Sequence, residues 1–371
     1  MIKLAIFTCA RSDFGVLKNL IERLNKDKRF NPNLIVGSAH TSNIFGNTKK
    51  EFENIKIKKF FFNFKYSQSD EYNILKNAEG ILKNSNIILN NIKFDGAIIL
   101  GDRYEMMCFA LCCLFYKIPI IHLSGGSDTK GSIDDVFRLS ISKMSKIHLL
   151  ETNFHKKKLT KFGINKNLFV VGAPALENIK FKFNKKKLTF KESQFLSGSS
   201  KKIMACFHPE TTIPLKENIK NLKILINFLN NQNHKVIFTF PNADEGFREF
   251  IKIIKIKLKK TNSLIVPNLG VEKYHYFLRN SDLLIGNSSS GIVESCSFKI
   301  PCINLGKRQE GRYAPKNVLH CSFDKKKIES KFKKSMSKKF LTKIKKIKNP
   351  YEKLNISSNI CNIIYSQLKN V

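Results

Sequence analysis

Short unbroken apolar runs alternate with stretches whose apolar residues recur at helical spacing, and this alternation runs along the chain twice. The first series of runs covers residues 3–8, 33–37, 95–100, 119–123, 147–151 and 168–172. The second covers 203–207, 235–240, 263–266, 283–285 and 301–304. A strand that is apolar at every position is buried on both faces, which is the condition of a parallel sheet covered by helices. Between the runs, segments such as 16–25 place Leu17, Leu20, Ile21 and Leu24 on one helical face. Residues 72–91, 105–116, 133–145, 218–231 and 245–260 read as further helices, and 349–368 as a terminal one. The expected class is α/β, built as two successive βαβ halves. Residues 40–70 are polar, contain the basic-aromatic run Lys58-Lys59-Phe60-Phe61-Phe62, and have no clear period. Residues 174–202 break the rhythm with lysines and Ser197-Gly198-Ser199-Ser200, and are expected to connect the two halves.

At 371 residues the chain exceeds one core and fits two domains. No apolar stretch reaches the length of a membrane span, and the N-terminal run lacks the features of a signal peptide, so the expected compartment is the cytoplasm. The formal net charge of +37 raises the question of nucleic acid. The lysines, however, are spread over almost every amphipathic segment. The basic runs 156–158, 185–187 and 325–327 are short, without interleaved aromatics. That distribution argues against dedicated nucleic-acid binding, while the same field favours a small anionic substrate. Nine cysteines without a CxxC pair lie mostly in apolar runs, which suggests buried free thiols and neither a zinc site nor a disulfide framework.

One stretch stands out chemically: Leu283-Leu284-Ile285-Gly286-Asn287-Ser288-Ser289-Ser290-Gly291-Ile292-Val293-Glu294. It reads as a strand, a tight turn, and a helix whose first turn is crowded with hydroxyls. Open backbone N–H groups, serine donors and the positive end of the helix dipole make a place for a phosphate. Glu294, one turn into that helix, is placed to accept hydrogen bonds from the paired hydroxyls of a sugar. An ordinary serine-capped helix after a buried strand is the plainer alternative.

Other strand ends also carry unusual residues, where open α/β sheets place their sites. Arg11 and Asp13 follow the first run, and an arginine there can fork onto a diphosphate or simply cap a loop. Asp102, in Gly101-Asp102-Arg103-Tyr104-Glu105, is a candidate general base, or else a cap for the next helix. His122-Leu123-Ser124-Gly125-Gly126-Ser127-Asp128 is followed by Asp134, Asp135 and Arg138, with Asp134 and Arg138 one helical turn apart. A surface ion pair is the plainer reading of these two. His208, in His208-Pro209-Glu210-Thr211, ends the first run of the second half and can donate to phosphate or be structural. Phe240-Pro241-Asn242-Ala243-Asp244-Glu245-Gly246 and Gly306-Lys307-Arg308-Gln309-Glu310-Gly311-Arg312 are further polar loops.

In this order the RSDFG, GDRYE, H-x-x-GG…IDD…R, HPET, PNADEG, GNSSSGIVE and GKRQEGR segments resemble the hydrolysing UDP-N-acetylglucosamine 2-epimerase family of sialic- and legionaminic-acid-type pathways. The resemblance implies two Rossmann-like domains facing a cleft, of the glycosyltransferase-B type. Residues 1–175 would carry the acid/base groups, 176–202 the linker, and 203–371 the nucleotide site and the terminal helix, which is free to return to the first domain. It implies removal of the C2 proton, anti elimination of UDP to a 2-acetamidoglucal, and addition of water, with no metal and no cofactor. Such chemistry needs a base at C2 and donors for the departing diphosphate. Carried over, Asp102 and Asp134 are the acid/base candidates and Arg138 their charge partner. Arg11, His208, Ser289 and Ser290 would hold phosphate, with Arg103, Asn287 and Ser288 beside the substrate, Glu294 at the ribose, and Arg308 and Arg312 lining the nucleotide pocket. The expected partners are the UDP-sugar and a second copy of the chain in a homodimer, with no membrane and no nucleic acid. The chain departs from the family where Ser124 replaces Glu or His, Ser127 replaces Glu, and Leu139 replaces His. A serine does not titrate near neutral pH, so the expectation is that Asp128 substitutes from one position along, that the mechanism leans on Asp102 and Asp134, or that the sugar is a diacetamido-trideoxy analogue. The rival expectations are a glycosyltransferase on the same scaffold and a nucleotide-sugar binder without catalysis.

Overall fold

The computed structural model describes residues 1–37, 40, 52, 55–65, 71–180, 183–241, 246–258 and 263–369. Two compact units emerge, the first formed by Met1–Ser127, Asp134–Glu177 and Lys353–Val371, the second by Asp128–Ile133 and Asn178–Glu352.

The first unit holds strands β1 (Ile2–Thr8), β2 (Phe30–Val36), β3 (Lys58–Phe61), β4 (Gly96–Leu100), β5 (Ile120–Leu123), β6 (Ile147–Leu150) and β7 (Leu168–Val170). All pair in parallel in the order β3-β2-β1-β4-β5-β6-β7. Helices α1 (Arg11–Lys26), α2 (Glu71–Asn91), α3 (Tyr104–Phe115), α4 (Asp134–Met144) and α5 (Asn153–Lys161) make connections between them. The strand order reverses between β1 and β4, the place where sheets of this kind open for a ligand. The apolar runs are continuous because alternate residues enter different cores. Leu4, Ile6, Ile98 and Ile121 pack with Leu17 and Leu20 on one side, while Ala5, Phe7, Ala97 and Ile99 pack with Met106 and Phe109 on the other. Helix α1 starts earlier than its periodicity suggests. The Asp13 carboxylate accepts the N–H groups of Cys9 and Ala10, both at 2.8 Å, and so caps the helix from inside its first turn. Burial pushes that carboxyl up to about 6.

In the second unit β8 (Lys202–Cys206), β9 (Lys235–Thr239), β10 (Ser263–Val266), β11 (Leu283–Gly286), β12 (Cys302–Leu305) and β13 (Val318–Cys321) form a parallel sheet in the order β10-β9-β8-β11-β12-β13. Its helices are α6 (Phe190–Leu196), α7 (Leu215–Asn230), α8 (Phe247–Lys257), α9 (Gly270–Arg279), α10 (Ser290–Val293), α11 (Lys325–Met336) and α12 (Lys338–Lys345). Here the order reverses between β8 and β11, so the His208 and Asn287 loops leave neighbouring strands at the switch point.

Three expected boundaries need correction. Residues 178–202 are not a free linker but part of the second unit. Thr189 and Glu192 form a capping box on α6, Lys273 bonds the Glu192 carboxylate at 2.9 Å, and Lys235 Nζ donates to the Gln194, Phe195 and Ser197 carbonyls. The terminal helix α13 (Ile356–Leu368) does return to the first unit, so the second domain does not run to residue 371. Its Ile356, Ile360, Ile364 and Leu368 lie in the core with Leu17, Leu20 and Leu24. Residues 128–133, placed by the sequence in the first half, belong to the second unit. Among the described residues no helix is long and apolar enough to cross a membrane. Most of the unassigned stretch 40–70 lies outside the described residues, apart from pieces such as β3.

Candidate active site

In the first unit the ends of β4, β5 and β6, three neighbouring strands, carry Asp102, Ser124 and Glu151. Asp102 does not cap α3, whose N-cap is Arg103 and carries no side-chain cap bond. Its carboxylate instead forms an ion pair with the Arg138 guanidinium, which is only 2% exposed. Arg138 Nη1 also donates to Ser127 O at 2.8 Å and to Asp135 Oδ1 at 3.0 Å. A buried arginine with this set of acceptors is fixed in place, and it fixes Asp102 in turn. Asp134, the expected neighbour of Arg138, is half-buried at the start of α4. The Arg103 guanidinium is turned onto buried Glu105 in a two-pronged contact of 2.9 and 3.1 Å.

His122, part of the H-x-x-GG segment, supports the Asp102 strand end from the neighbouring strand. Its Nε2 donates to Gly101 O at 2.8 Å, and its Nδ1 lies 3.0 Å from Ser142 Oγ. Complete burial depresses the imidazole to about 4, so a neutral ring holds the carbonyl that precedes Asp102. The next two glycines fit the same packing. A Cβ on Gly125 would meet Ser142 Oγ at 2.9 Å, and one on Gly126 would meet His155 O at 2.7 Å.

In the second unit three loops converge. Gly286 adopts φ +140°, and a Cβ there would sit 1.8 Å from Cys206 O, so only glycine allows β11 to turn beside β8. Asn287 N then donates to Cys206 O at 3.1 Å. The fully buried Asn287 amide grips the His208 backbone from both sides, accepting from its N–H at 2.7 Å and donating to its carbonyl at 2.8 Å. Asn287 O accepts from Gln309 Nε2 at 2.9 Å and from Arg308 Nη1 at 3.4 Å. Glu210 completes the assembly by accepting the Lys307 and Arg308 N–H groups at 2.9 and 3.3 Å. The HPET, GNSSSG and GKRQEGR segments are therefore one hydrogen-bonded structure. Burial, reinforced by Arg308, holds the His208 imidazole well below its ordinary range, and its Nε2 lies 3.2 Å from Cys206 Sγ.

The serines behave differently from a simple capping turn. Helix α10 is a single turn, and Glu294 is its C-cap rather than a residue inside a longer helix. Ser289 is the N-cap without a side-chain cap bond, Ser290 Oγ bonds the Tyr274 hydroxyl, and Ser288 Oγ lies 3.2 Å from Ser290 Oγ. Glu294 Oε2 is 3.0 Å from His275 Nε2 of α9. Arg312 is half-buried, and its Nε has no hydrogen-bond partner among the described residues. Asp128 belongs to the second unit, where a Cβ on Gly311 would meet its Cβ at 2.5 Å. The same short segment bonds through Lys130 N to Glu310 O at 3.2 Å and through Ile133 N to Thr211 Oγ1 at 3.2 Å. The Arg11 side chain, and Asn242, Ala243, Asp244 and Glu245 of the PNADEG loop, lie outside the described residues.

Two parallel α/β units, one with an arginine-bound carboxylate at its strand ends and one with a network of amides, hydroxyls and arginine at its switch point, are the architecture of the glycosyltransferase-B class. The family model described as UDP-N-acetylglucosamine 2-epimerase matches residues 22–365, and the chain belongs to that family. It is 35% identical over 346 residues to the GDP/UDP-N,N'-diacetylbacillosamine 2-epimerase (hydrolyzing) of Campylobacter jejuni, covering 91% of this chain and 88% of that one. It is 31% identical over 377 residues to the polysialic acid biosynthesis protein P7 of Escherichia coli, covering 100% and 95%. The crystal structure of UDP-GlcNAc 2-epimerase from Neisseria meningitidis bound to UDP-GlcNAc has the same fold, with a TM-score of 0.83 at 19% identity over 99% of this chain and 100% of that one. Family membership decides for the epimerase over the glycosyltransferase.

Proposed function

We propose that this chain is a hydrolysing 2-epimerase acting on a UDP-linked 2-acetamido sugar, with a diacetamido-trideoxy hexose as the preferred sugar. Membership of the family and likeness to the diacetylbacillosamine enzyme support the reaction and the sugar. The single observation in this chain that carries the chemistry is Asp102, placed at a strand end by buried Arg138 instead of capping its helix. In this reading Asp102 takes the C2 proton, the C1–oxygen bond to UDP breaks, and an unsaturated sugar forms. Asp134 returns a proton to C2 from the other face, and water bonds to C1. Arg11, His208, Ser288, Ser289 and Ser290 hold the diphosphate, with Arg308 and Arg312 spreading its charge. Glu294, steadied by His275, takes the ribose hydroxyls. A neutral His208 acts there as an N–H donor and not as a cation.

The nine free cysteines, eight of them buried, support a reducing compartment, the cytoplasm. A homodimer is proposed through α2 and its neighbour α3, which leave Tyr72, Leu75, Ile87, Leu114 and Phe115 exposed on the first unit. The reading is tested by proton NMR of the purified chain with UDP-diacetamido and UDP-N-acetylglucosamine substrates in heavy water. Free UDP and a C2-inverted sugar carrying deuterium at C2 are expected, with the diacetamido substrate turning over faster. UDP release without deuterium at C2 would overturn it.

A further inference from the structure

The proposed reaction ends with water bonding to C1, and none of the residues assigned above takes the proton that this water must lose. The first unit holds a pair suited to it. Ser124 follows β5 at φ +63°, a left-handed conformation that disfavours a residue with a Cβ. Its backbone N donates to Leu149 O at 3.0 Å, which locks that geometry to β6. Its hydroxyl donates to Glu151 Oε1 at 2.8 Å. Glu151 is only 8% exposed, and its other oxygen lies 3.9 Å from Nδ1 of buried His155. Gly101 N, just before Asp102, bonds Leu123 O, just before Ser124, at 3.0 Å. Asp102 and Ser124 therefore lie on adjacent strand ends, about 4.8 Å apart in strand spacing. A serine that gives its own hydrogen to a carboxylate keeps its lone pairs free to accept one.

We propose that Ser124 and Glu151 together take the proton of the hydrating water, Glu151 acting as a positioning residue through Ser124. This rests on the reaction assigned above. As the water oxygen bonds to C1, its proton passes to Ser124 Oγ and the Ser124 proton passes to Glu151 Oε1. Glu151 returns that proton to solvent before the next turnover. The C2 proton and the departure of UDP are handled elsewhere, so losing this pair slows hydration but not elimination.

The experiment follows UDP and sugar together by proton NMR for the wild-type chain, Glu151→Gln, Ser124→Ala and the double variant, with melting temperatures recorded. Glutamine keeps the shape of Glu151 and removes its basicity. Either single variant is expected to release UDP within about threefold of wild type, while the ratio of unsaturated to hydrated sugar rises roughly 10–100-fold. The double variant should do no more than either single one, because the two residues act as one unit. Hydrated sugar alone, or equal loss of UDP release and hydration, overturns the proposal, and a multiplied defect in the double variant does the same. If Glu151→Gln does not fold, Ser124→Ala carries the same test, since alanine has the same Cβ as serine and removes only the hydroxyl. A wild-type chain inactive on every UDP-acetamido sugar sinks the assigned reaction and this proposal with it, whereas a fully competent Glu151→Gln sinks only the latter.

Discussion

The two units share a winding and differ in what they place at their strand ends. The first presents carboxylates: Asp102 and Asp135 on one arginine, Glu105 on another, Glu151 on a serine. The second presents mainly neutral donors and acceptors, with Asn287, Gln309, three serines and a histidine depressed by burial, and its carboxylates Glu210 and Glu294 are engaged by backbone N–H groups and by His275. A parallel sheet supplies the same geometry to both, so the chemistry is divided by side chain alone. Carboxylates suit the movement of protons, while amides, hydroxyls and a guanidinium suit an anion that must be held and then released.

The strongest challenge to that division is Asp102→Asn. It should lower turnover about 10³-fold while the UDP dissociation constant, measured by calorimetry, stays within threefold; equal loss of both would make Asp102 structural. Acid should separate the units next. His40, His122 and His148 of the first unit are each depressed by burial to about 4, against His208 and, on the same cause, His320 in the second. An unfolded histidine takes up a proton near pH 6.5 that these folded rings refuse. Their contribution is therefore present above pH 6.5 and lost as pH falls toward 4, on the order of 3 kcal/mol per ring. Asp13 opposes this, because its raised carboxyl favours the folded state below its unfolded value, a benefit lost as pH rises through about 6. Hydrogen exchange at pH 7 and pH 5 should show protection falling first in the first unit.

Asn287→Ala should destabilise the second unit by roughly 2–3 kcal/mol, since it strands the His208 backbone N–H in a buried site. Urea unfolding reads this effect, with the first unit's exchange protection unchanged. Smallest is Glu294→Gln, expected to weaken UDP binding about tenfold, or ~1.4 kcal/mol, with turnover at saturating substrate retained. A fall in turnover at equal affinity would place Glu294 with the proton-moving groups instead.

Much of this was legible beforehand because the apolar runs are local. Whereas β3, β7 and β10 at the edges are only partly buried, the central strands of both sheets are buried on two faces, and their composition says so without reference to any partner. The same holds for Gly286, whose neighbours mark a turn. What stayed hidden is pairing across strands. Nothing in the order of residues ties Arg138 to Asp102, or Ser124 to Glu151, because those contacts depend on register, whereas the Asp135–Arg138 pair is one helical turn and local. Residues 178–202 misled for another reason: Lys235 and Lys273 reach in from distant helices and strands to fix a segment that is lysine-rich by itself. The sequence places Glu294 one turn into a helix, whereas it is the C-cap of a single turn, and a one-turn helix has no period to detect.

The return of α13 to the core around Leu17 and Leu20 bears on how the molecule is born. About 175 residues of the second unit leave the ribosome between Glu177 and the segment that begins at Lys353. At roughly 5–20 residues per second, the amino-terminal sheet waits for its last supporting helix while the later unit is already free to close. The half made first is finished last, and a nascent chain interrupted before Ile356 would carry an open apolar groove.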